Sequence, residues 1–263
     1  MQEQQPSPYY ATVLSILQTA RARRILDAPC GSGWLGRSLK KGGNDTITDG
    51  LGLWQFPSDE DGYHEVWEHD LEEPIPDRLK DYDAVVCGEA IHLLTSPGLL
   101  LKSFHRCLRP GGKIIITTPN TWYFRSRVQF LLRGFHSGFR PMIGKKRGEY
   151  ITYFPWSFTQ LHLLLTHHSF GDIRIHDVDE PKPKRLVEHL LALPSRAYLS
   201  HRLRESRTDD EKNYWRQAGS KQSLHGRWLV VSATKLEYRA GDPPESGGSQ
   251  ADVAMSQTGM VSR

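Results

Sequence analysis

An acidic residue and three spaced glycines follow the first strongly apolar run of the chain. Asp27 ends that run, and Gly31, Gly33 and Gly36 fit the spacing G-x-G-x-x-G. Glycines at this spacing let a backbone turn sharply and approach a nucleotide closely at the N-terminus of a helix. The stretch is therefore a candidate nucleotide-binding turn between a strand and a helix.

The carboxylate of Asp27 distinguishes two classes of cofactor. A dinucleotide would place its pyrophosphate over this turn, where a carboxylate repels it. S-adenosylmethionine carries no phosphate, and its sulfonium and amino groups are cationic, so an acid at this position attracts it. Asp27 therefore favours S-adenosylmethionine, and a nicotinamide-dependent oxidoreductase is kept as an alternative on the strength of the glycine spacing alone.

Two stretches resemble known motifs of one enzyme family. Residues 25–36 resemble the first motif of class I S-adenosylmethionine-dependent methyltransferases, an apolar strand followed by D-x-G-C-G-x-G, with Pro29 in the place of the first motif glycine. Residues 108–117 are similar to a later family segment, in which a helix, a Pro-Gly-Gly turn and an apolar strand follow one another. The resemblance implies methyl transfer with S-adenosylmethionine as the cofactor.

The same resemblance implies an acid at the end of strand two, where one carboxylate accepts hydrogen bonds from both ribose hydroxyls. Residues 46–48 are the candidate for this strand. If the strand ends at Thr48, Asp49 is the ribose acid; if the segment is instead aligned on the pattern apolar-acid-Leu, the position falls on Gly52 and the acid is missing. We favour Asp49, and an aspartate in a surface turn is the alternative.

Further cofactor contacts are implied at the ends of later strands. Asp70 closes a predicted strand at residues 66–71 and would accept a hydrogen bond from the adenine amino group, with the backbone amide of Leu71 against the ring. Gly88 ends the apolar strand at residues 83–88. The residues expected to bind the cofactor are Asp27, Cys30, Gly31, Gly33, Asp49, Asp70, Leu71 and Gly88.

Catalytic residues are not assigned. The resembled family often carries Glu-His just after strand four, but His92 and Leu93 occupy those two positions here. Methyl transfer needs mainly alignment of the reactants and exclusion of water. Because a general base is required only for a hydroxyl or ammonium acceptor, Glu89 and His92 remain candidates for that role, and His92 also fits a packing role.

The elements that must position these residues alternate between strands and helices along the chain. This order predicts an α/β, doubly wound, seven-stranded Rossmann-like sheet, mostly parallel with the last strand antiparallel. That last strand, residues 228–233, is expected between strands five and six. We expect a methyltransferase domain over residues 1–238, with helical and basic insertions at about 121–150 and 182–225, and a disordered tail at 239–263.

Composition restricts the remaining possibilities. The chain has 263 residues, of which 38% are hydrophobic and 24% charged, with three cysteines that form no C-x-x-C pair. We expect no metal site, because the histidines lack the i, i+4 spacing of helical ligands. The sequence has no run of eighteen apolar residues, and its start lacks the pattern of a signal peptide, so a cytoplasmic location is expected.

Two segments bear on the methyl acceptor. Residues 121–135 form an apolar stripe beside arginines, which fits a lid, a membrane-surface helix or plain packing. Residues 182–207 hold seven basic and two acidic residues, a local charge of +5, which fits either a solvated basic face or contact with an anionic or lipid-linked substrate at a membrane surface. The chain lacks the D/N-P-P-Y/F/W run expected for methylation of nucleic-acid amino groups, so nucleic acid is not the expected partner.

Together these features predict methyl transfer to a small-molecule or lipid/glycan-linked acceptor. A methyltransferase-like protein that binds without catalysis is the other alternative.

Overall fold

One sheet with helices on both faces organises the part of the chain that the computed structural model describes, residues 7–43, 45–137, 152, 154–180, 188–189 and 192–237. In chain order its seven strands are β1 (Arg24–Asp27), β2 (Ile47–Gly52), β3 (Glu65–Glu68), β4 (Tyr82–Gly88), β5 (Leu108–Pro119), β6 (Phe170–Ile175) and β7 (Trp228–Lys235). Across the sheet the order is β3-β2-β1-β4-β5-β7-β6.

Strand directions follow the prediction. The pairs among β1 to β5 are parallel, and β7 pairs antiparallel with both β5 and β6. The last strand therefore lies between strands five and six, as the resemblance to the methyltransferase family implied. The predicted α/β, doubly wound, seven-stranded sheet is confirmed.

Helices connect and cover the strands. They are α1 (Tyr10–Thr19), α2 (Trp34–Lys41), α3 (Pro97–Cys107), α4 (Phe124–Arg133), α5 (Phe158–His167), α6 (Leu193–Glu205), α7 (Asp209–Ala218) and α8 (Lys221–His225). Two of them begin with a capping box, in which the cap hydroxyl accepts from the N3 amide and the N3 side chain accepts from the cap amide. These are the Ser157–Gln160 pair of α5 and the Thr208–Glu211 pair of α7.

Alternating side chains of the central strands enter two separate cores. Leu26, Val85 and Ile114 pack on one face of the sheet, together with side chains from α3 and α5. Their neighbours Ile25 and Val86 pack on the other face with α1 and α2. Because successive side chains of a strand point to opposite faces, burial on both faces explains the near-continuous apolar runs of β1 and β4.

Strand two differs from its predicted bounds. It runs from Ile47 to Gly52 rather than ending at Thr48, and it pairs with β1 from Ile47 to Gly50 and with β3 as far as Gly52. Its two glycines hid the strand in the sequence because they have low strand propensity. The missing side chains of these glycines leave space for the side chain of Cys30, which a Cβ at Gly50 or Gly52 would approach to 3.0 to 3.2 Å.

Part of the predicted insertions lies within the described residues. The first contributes α4, and the second contributes α6, α7 and α8, with Pro194 in the first turn of α6. Most of residues 138–151 and 181–191, and the predicted tail at 239–263, lie outside the described residues. The domain bounds given above therefore stay predictions. Among the described helices, none combines the length and the hydropathy needed to cross a membrane.

Candidate active site

Asp27 stands at the carboxyl end of β1, fully buried. The Tyr63 hydroxyl donates a 2.6 Å hydrogen bond to its Oδ2, whereas Oδ1 is buried and has no hydrogen-bond partner among the described residues. Burial raises the pKa of Asp27 to about 7, and the Tyr63 hydrogen bond opposes that rise. One carboxylate oxygen is therefore held by the protein and the other remains available to a ligand.

Glu89 follows the carboxyl end of β4 and presents a second such oxygen. Its backbone lies in the left-handed region (φ 52°), and its amide donates to the Thr117 carbonyl at 2.9 Å and to the Thr117 hydroxyl at 3.2 Å. Glu89 Oε1 is buried without a hydrogen-bond partner in the described chain. Burial raises the pKa of Glu89, and a hydrogen bond with Tyr9 opposes the rise.

These two carboxylates lie on neighbouring strands, with Asp27 paired to Val86 of β4. The chain winds outward from β1 to β3 and then returns to place β4 on the other side of β1. Ligands of open α/β sheets bind at the carboxyl ends of the strands beside such a reversal. Because a buried carboxylate oxygen without a partner is costly, the pair fits a cationic ligand, and the amino group and sulfonium of S-adenosylmethionine meet that requirement.

Two tyrosines at the start of α1 border the same site, and the sequence reasoning did not include them. Burial and the charge of Glu89 raise the pKa of Tyr9, and for Tyr10 the charges of both Glu89 and Asp27 add to the effect of burial. The Tyr10 ring stacks on Trp34 of α2, with centroids 3.8 Å apart and planes 2° apart. The only sign of these two residues in the sequence was that Tyr9 and Tyr10 form an adjacent aromatic pair ahead of the first strand.

The glycines of the turn serve two purposes. Gly31 and Gly33 both have positive φ, 49° and 80°, which favours glycine. A Cβ on Gly33 would come within 2.7 Å of Asp61 and Pro57, and one on Gly36 would collide with the Asp61 carbonyl and the Tyr63 ring. Because Gly33 and Gly36 have no side chains, the segment after β2 can pack closely against them. This packing brings Tyr63 to Asp27.

Open space lies beside the other glycines of the predicted set. Counting described residues alone, a Cβ on Gly31 would meet only Gln55 Oε1, at 4.0 Å, and a Cβ on Gly88 would meet nothing within 4 Å. Cys30 is buried, and its amide donates to the Leu51 carbonyl at 2.8 Å, which ties the turn to β2. Burial raises the pKa of the Cys30 thiol to about 12, so the thiol stays protonated at neutral pH.

Asp49 is not brought to this edge of the sheet. Its carboxylate accepts from the Tyr82 hydroxyl at 2.8 Å, contacts His64 Nδ1 at 3.2 Å and lies 3.8 Å from the guanidinium of Arg24. Arg24 and Tyr82 are the first residues of β1 and β4, so Asp49 belongs to the amino-terminal half of the sheet. Because β2 continues to Gly52, this glycine occupies the strand-end position at which the ribose acid was expected. This corresponds to the second alternative from the sequence, in which the acid is missing.

Asp70 and Leu71 do lie at the carboxyl edge, although β3 ends at Glu68 rather than at residue 71. The amide of His69 donates to the Gly52 carbonyl at 2.9 Å, which holds this segment beside the end of β2. Asp70 Oδ1 accepts from the Glu72 amide at 3.0 Å, and Leu71 is buried. The structure thus brings Asp27, Gly31, Asp70 and Gly88 to one edge of the sheet.

His92 lies on the β5 side of this edge. Its Nδ1 is 3.1 Å from the Thr118 hydroxyl, and its carbonyl accepts from the Phe154 amide at 3.3 Å. Burial lowers the pKa of His92 to about 4, so the ring is neutral at pH 7 and is a weak base.

Comparison with known proteins gives the family of the chain. A family model described as a methyltransferase domain matches residues 1–155, more than half of the chain. Ubiquinone biosynthesis O-methyltransferases of Aeromonas salmonicida (strain A449) and Pseudomonas syringae pv. tomato are similar to it, 30% and 28% identical over 107 residues. Each match covers 37% of this chain and 44% or 45% of the relative, so the chain matches less than half the length of these relatives.

Solved structures agree with the fold. A chain from the complex of the Haloferax volcanii Trm112 methyltransferase activator with a methyltransferase aligns with a TM-score of 0.51 and 16% identity, covering 88% of this chain and 90% of that one. Human N-acetylserotonin methyltransferase, solved with S-adenosylmethionine, aligns with a TM-score of 0.50 and 12% identity, covering 87% of this chain and 52% of that one. The strand order, the motifs around Asp27 and the match over residues 1–155 lead to one conclusion: the chain belongs to the methyltransferase-domain family, the class I S-adenosylmethionine-dependent methyltransferases predicted from its sequence.

Proposed function

We propose that the chain binds S-adenosylmethionine over the carboxyl ends of β1 and β4 and directs methyl transfer to a small-molecule or lipid/glycan-linked acceptor. The observation that carries the proposal is a pair of buried oxygens, Asp27 Oδ1 and Glu89 Oε1, which lie at the reversal of strand order and have no partner among the residues that the structure describes. Membership of the methyltransferase family supports it.

The residues around this pair would hold the cofactor in distinct ways. Asp27 and Glu89 would accept hydrogen bonds from its amino group and offset its positive charge, while Tyr63 fixes the orientation of Asp27. Gly31 and Gly88 leave room for a ligand beside the strand ends. Asp70 and Leu71 are proposed to border the adenine, as expected from the sequence.

For the ribose, we propose that no carboxylate of β2 takes part. Asp49 is the residue expected from the sequence, but its two oxygens already have partners in Tyr82 and His64. Gly52 ends the strand instead, and its carbonyl is used by His69. A role for Asp49 in holding β1, β2 and β4 together accounts for its contacts.

The chemistry needs little covalent help from the protein. S-adenosylmethionine supplies an electrophilic methyl group on a sulfonium, with a neutral thioether as the leaving group. The chain then has to align the acceptor and exclude water. The buried oxygens of Asp27 and Glu89, together with Tyr9 and Tyr10 at the start of α1, provide a shielded, low-dielectric site for that alignment. We assign no general base, because burial lowers the pKa of His92 to about 4 and Glu89 is proposed to bind the amino group of the cofactor.

The acceptor class is supported by the relatives, which are named for O-methylation in ubiquinone biosynthesis. Membrane contact through residues 182–207 stays a prediction. Two of its arginines have partners within the protein: Arg196 contacts His225 at 3.2 Å, and Arg202 lies 5.3 Å from the centre of the Trp215 ring and pairs with Glu205.

Thermal unfolding with three ligands tests the proposal. S-adenosylmethionine and S-adenosylhomocysteine should both raise the melting temperature, and a millimolar dose at a micromolar site corresponds to about 4 kcal/mol of stabilisation. NADH should have little effect, since its pyrophosphate would face the Asp27 carboxylate. Stabilisation by NADH at lower concentration than by S-adenosylhomocysteine, or no stabilisation by either sulfur ligand, would overturn the proposal.

A further inference from the structure

Two groups of buried polar side-chain atoms have no hydrogen-bond partner among the described residues and follow the carboxyl ends of β1, β4 and β5. The acceptor atoms, Asp27 Oδ1 and Glu89 Oε1, lie at the ends of β1 and β4 and belong to the proposed cofactor site. The donor atoms, Nε and Nη2 of Arg127 and Nε1 of Trp156, lie beyond the end of β5. The amino group and sulfonium of the cofactor are cations and suit only the acceptors, whereas the donors need an anion. Unchanged affinity of an Arg127 variant for S-adenosylhomocysteine would exclude the cofactor's own carboxylate as that anion.

Arg127 is anchored on one side only. On α4, its Nη1 donates to the Ser195 hydroxyl at 2.8 Å, and its guanidinium lies 4.7 Å from the centre of the Trp122 ring. No carboxylate of the described residues forms an ion pair with it. Burial lowers the pKa of Arg127, although a guanidinium stays charged at neutral pH. The side chain is thus a half-buried cation without a counter-charge in the part of the chain that the structure describes.

The two unpartnered nitrogens form one binding edge. In a planar guanidinium, Nε and Nη2 lie on the same side, and their N–H bonds point in the same direction. Two parallel donors match the two oxygens of a carboxylate or phosphate, which is the strong bidentate geometry of arginine. A buried charged donor left without an acceptor costs on the order of 1–3 kcal/mol or more, so an oxyanion ligand would relieve that cost.

The position of Arg127 connects this edge to the proposed reaction. β5 ends at Pro119, and the Asn120 side chain holds the next residues by donating to the carbonyls of Ser223 and Gly226, each at 2.8 Å. The Thr121 amide and hydroxyl then both donate to the Trp156 carbonyl, at 2.9 and 2.8 Å. These hydrogen bonds hold the exit from β5, and α4, which carries Arg127, begins five residues after the carboxyl end of that strand. In the sheet, β5 lies beside β4 on the side away from β1 and Asp27.

We propose that Arg127 binds an oxyanion of the methyl acceptor, a carboxylate or a phosphate, through Nε and Nη2. That the bound anion belongs to the methyl acceptor rests on the proposed function. That an anion binds at this position rests on the contacts of Arg127. Arg127 is a binding and specificity residue in this proposal, and Ser195 and Trp122 hold it in place. The acceptor is therefore an anionic molecule.

Binding of two simple oxyanions tests the proposal. Inorganic phosphate and benzoate are titrated separately against the full chain by calorimetry, with and without S-adenosylhomocysteine, and with chloride at equal ionic strength as the reference. We expect saturable binding of at least one probe, and the preferred probe separates a phosphate site from a carboxylate site. Arg127→Gln should weaken it at least ten-fold and leave the affinity for S-adenosylhomocysteine within two-fold.

Three further variants separate binding from structure. Arg125→Gln is the matched control, since Arg125 is exposed on the same helix and its replacement removes the same charge. Arg127→Lys keeps the charge but loses the paired donors, so its affinity should fall between those of the wild type and Arg127→Gln. Ser195→Ala removes the bond to Nη1 only and should keep most of the anion binding. Circular dichroism confirms that each variant is folded.

Several outcomes would overturn the inference. One is a wild type that binds neither probe above the chloride reference. Another is an Arg127→Gln variant that keeps wild-type affinity, or loses no more than Arg125→Gln. A Ser195→Ala loss as large as that of Arg127→Gln would assign Arg127 a structural role instead. If the protein binds an anion but not S-adenosylhomocysteine, the proposed function is wrong and the anion site stands. If it binds S-adenosylhomocysteine but neither anion, the anion site is wrong and the proposed function stands.

Discussion

Tyr63 donates a 2.6 Å hydrogen bond to Oδ2 of Asp27, and Oδ1 has no partner within the described ranges of the chain. The segment after β2 brings the tyrosine there by packing against Gly33 and Gly36, where any larger residue would collide with it. The same phenol lies 3.4 Å from the Gly36 amide, so one side chain connects the acid to the start of α2. Asp27 and Tyr63 therefore act as one unit, in which the tyrosine aims the carboxylate.

Replacing Tyr63 by phenylalanine tests that unit. Loss of the hydroxyl removes a hydrogen bond to a buried carboxylate, so the free energy of unfolding should fall by about 1–3 kcal/mol. The affinity for S-adenosylhomocysteine should fall about ten-fold, because Asp27 loses its orientation and its charged form loses a donor. Urea denaturation and calorimetry measure the two effects.

Tyr82→Phe is the matched control, since Tyr82 donates a 2.8 Å hydrogen bond to Asp49 at the other end of the sheet. It should lower the free energy of unfolding to a similar extent and leave the affinity for S-adenosylhomocysteine unchanged. If both variants weaken that affinity equally, the loss in Tyr63→Phe reflects general destabilisation and the special role of Tyr63 is wrong.

The raised pKa of Asp27 makes the stability of the ligand-free protein depend on pH. An aspartate has a pKa of about 3.9 in an unfolded chain, and burial raises that of Asp27 to about 7 in the folded one. Between these values the folded state holds a proton that the unfolded state has lost. The contribution of Asp27 is therefore fully present below pH 4 and is lost as pH rises to 7.

Because Glu89 and several histidines also titrate, the comparison is made with Asp27→Asn. The free energy of unfolding of the wild type, relative to that of Asp27→Asn, should decline between pH 4 and pH 7 and stay level above that range. Urea denaturation at half-unit steps of pH gives this difference. A difference that rises with pH would mean that Asp27 is held in its charged form by the protein alone.

Two glycine substitutions separate ligand space from packing. Gly88 has an ordinary φ and open space at its Cβ position, so Gly88→Val should leave the free energy of unfolding within about 0.5 kcal/mol of the wild-type value. Its side chain would enter the proposed cofactor site, so the affinity for S-adenosylhomocysteine should fall at least ten-fold. Equal affinity in Gly88→Val and the wild type would place the cofactor elsewhere.

Gly36→Ala is the opposite case. Its methyl group would collide with the Asp61 carbonyl and the Tyr63 ring, so we expect a loss of about 1–3 kcal/mol in the free energy of unfolding, as for overpacking in a core. Thermal unfolding measures the loss. A Gly36→Ala variant as stable as the wild type would contradict the packing of the segment after β2 on this glycine.

The sequence predicted the parts of this molecule that depend on local pattern. The apolar runs of β1, β4 and β5 predicted buried parallel strands, and Asp27 was found because it ends the first of them. The place of β7 between β5 and β6 followed from the resemblance to the family. Each of these features depends either on residues that are adjacent in the chain or on the order of strands and helices, which the motifs indicate.

Features that depend on distant contacts were missed. Tyr63 comes from a segment with no repeating pattern, and its meeting with Asp27 depends on the absence of side chains at Gly33 and Gly36. The sequence favoured Asp49 as the ribose acid because the glycines of β2 made the strand seem to end before it. Its contacts with Tyr82 and His64 depend on the pairing of β1 with β2 and β4, which the sequence does not reveal. Arg127 lies in the segment 121–135, for which the sequence predicted only an apolar stripe beside arginines and no role for this residue.

Calorimetric titration of S-adenosylhomocysteine into the wild type, Asp27→Asn and Asp49→Asn tests the central claim most directly. The wild type should bind with micromolar affinity, Asp27→Asn should bind at least ten-fold more weakly while it remains folded, and Asp49→Asn should lose stability but keep the wild-type affinity. No binding by the wild type, or a loss of affinity in Asp49→Asn that exceeds the loss in Asp27→Asn, would contradict a cofactor site built on Asp27 at the carboxyl ends of β1 and β4.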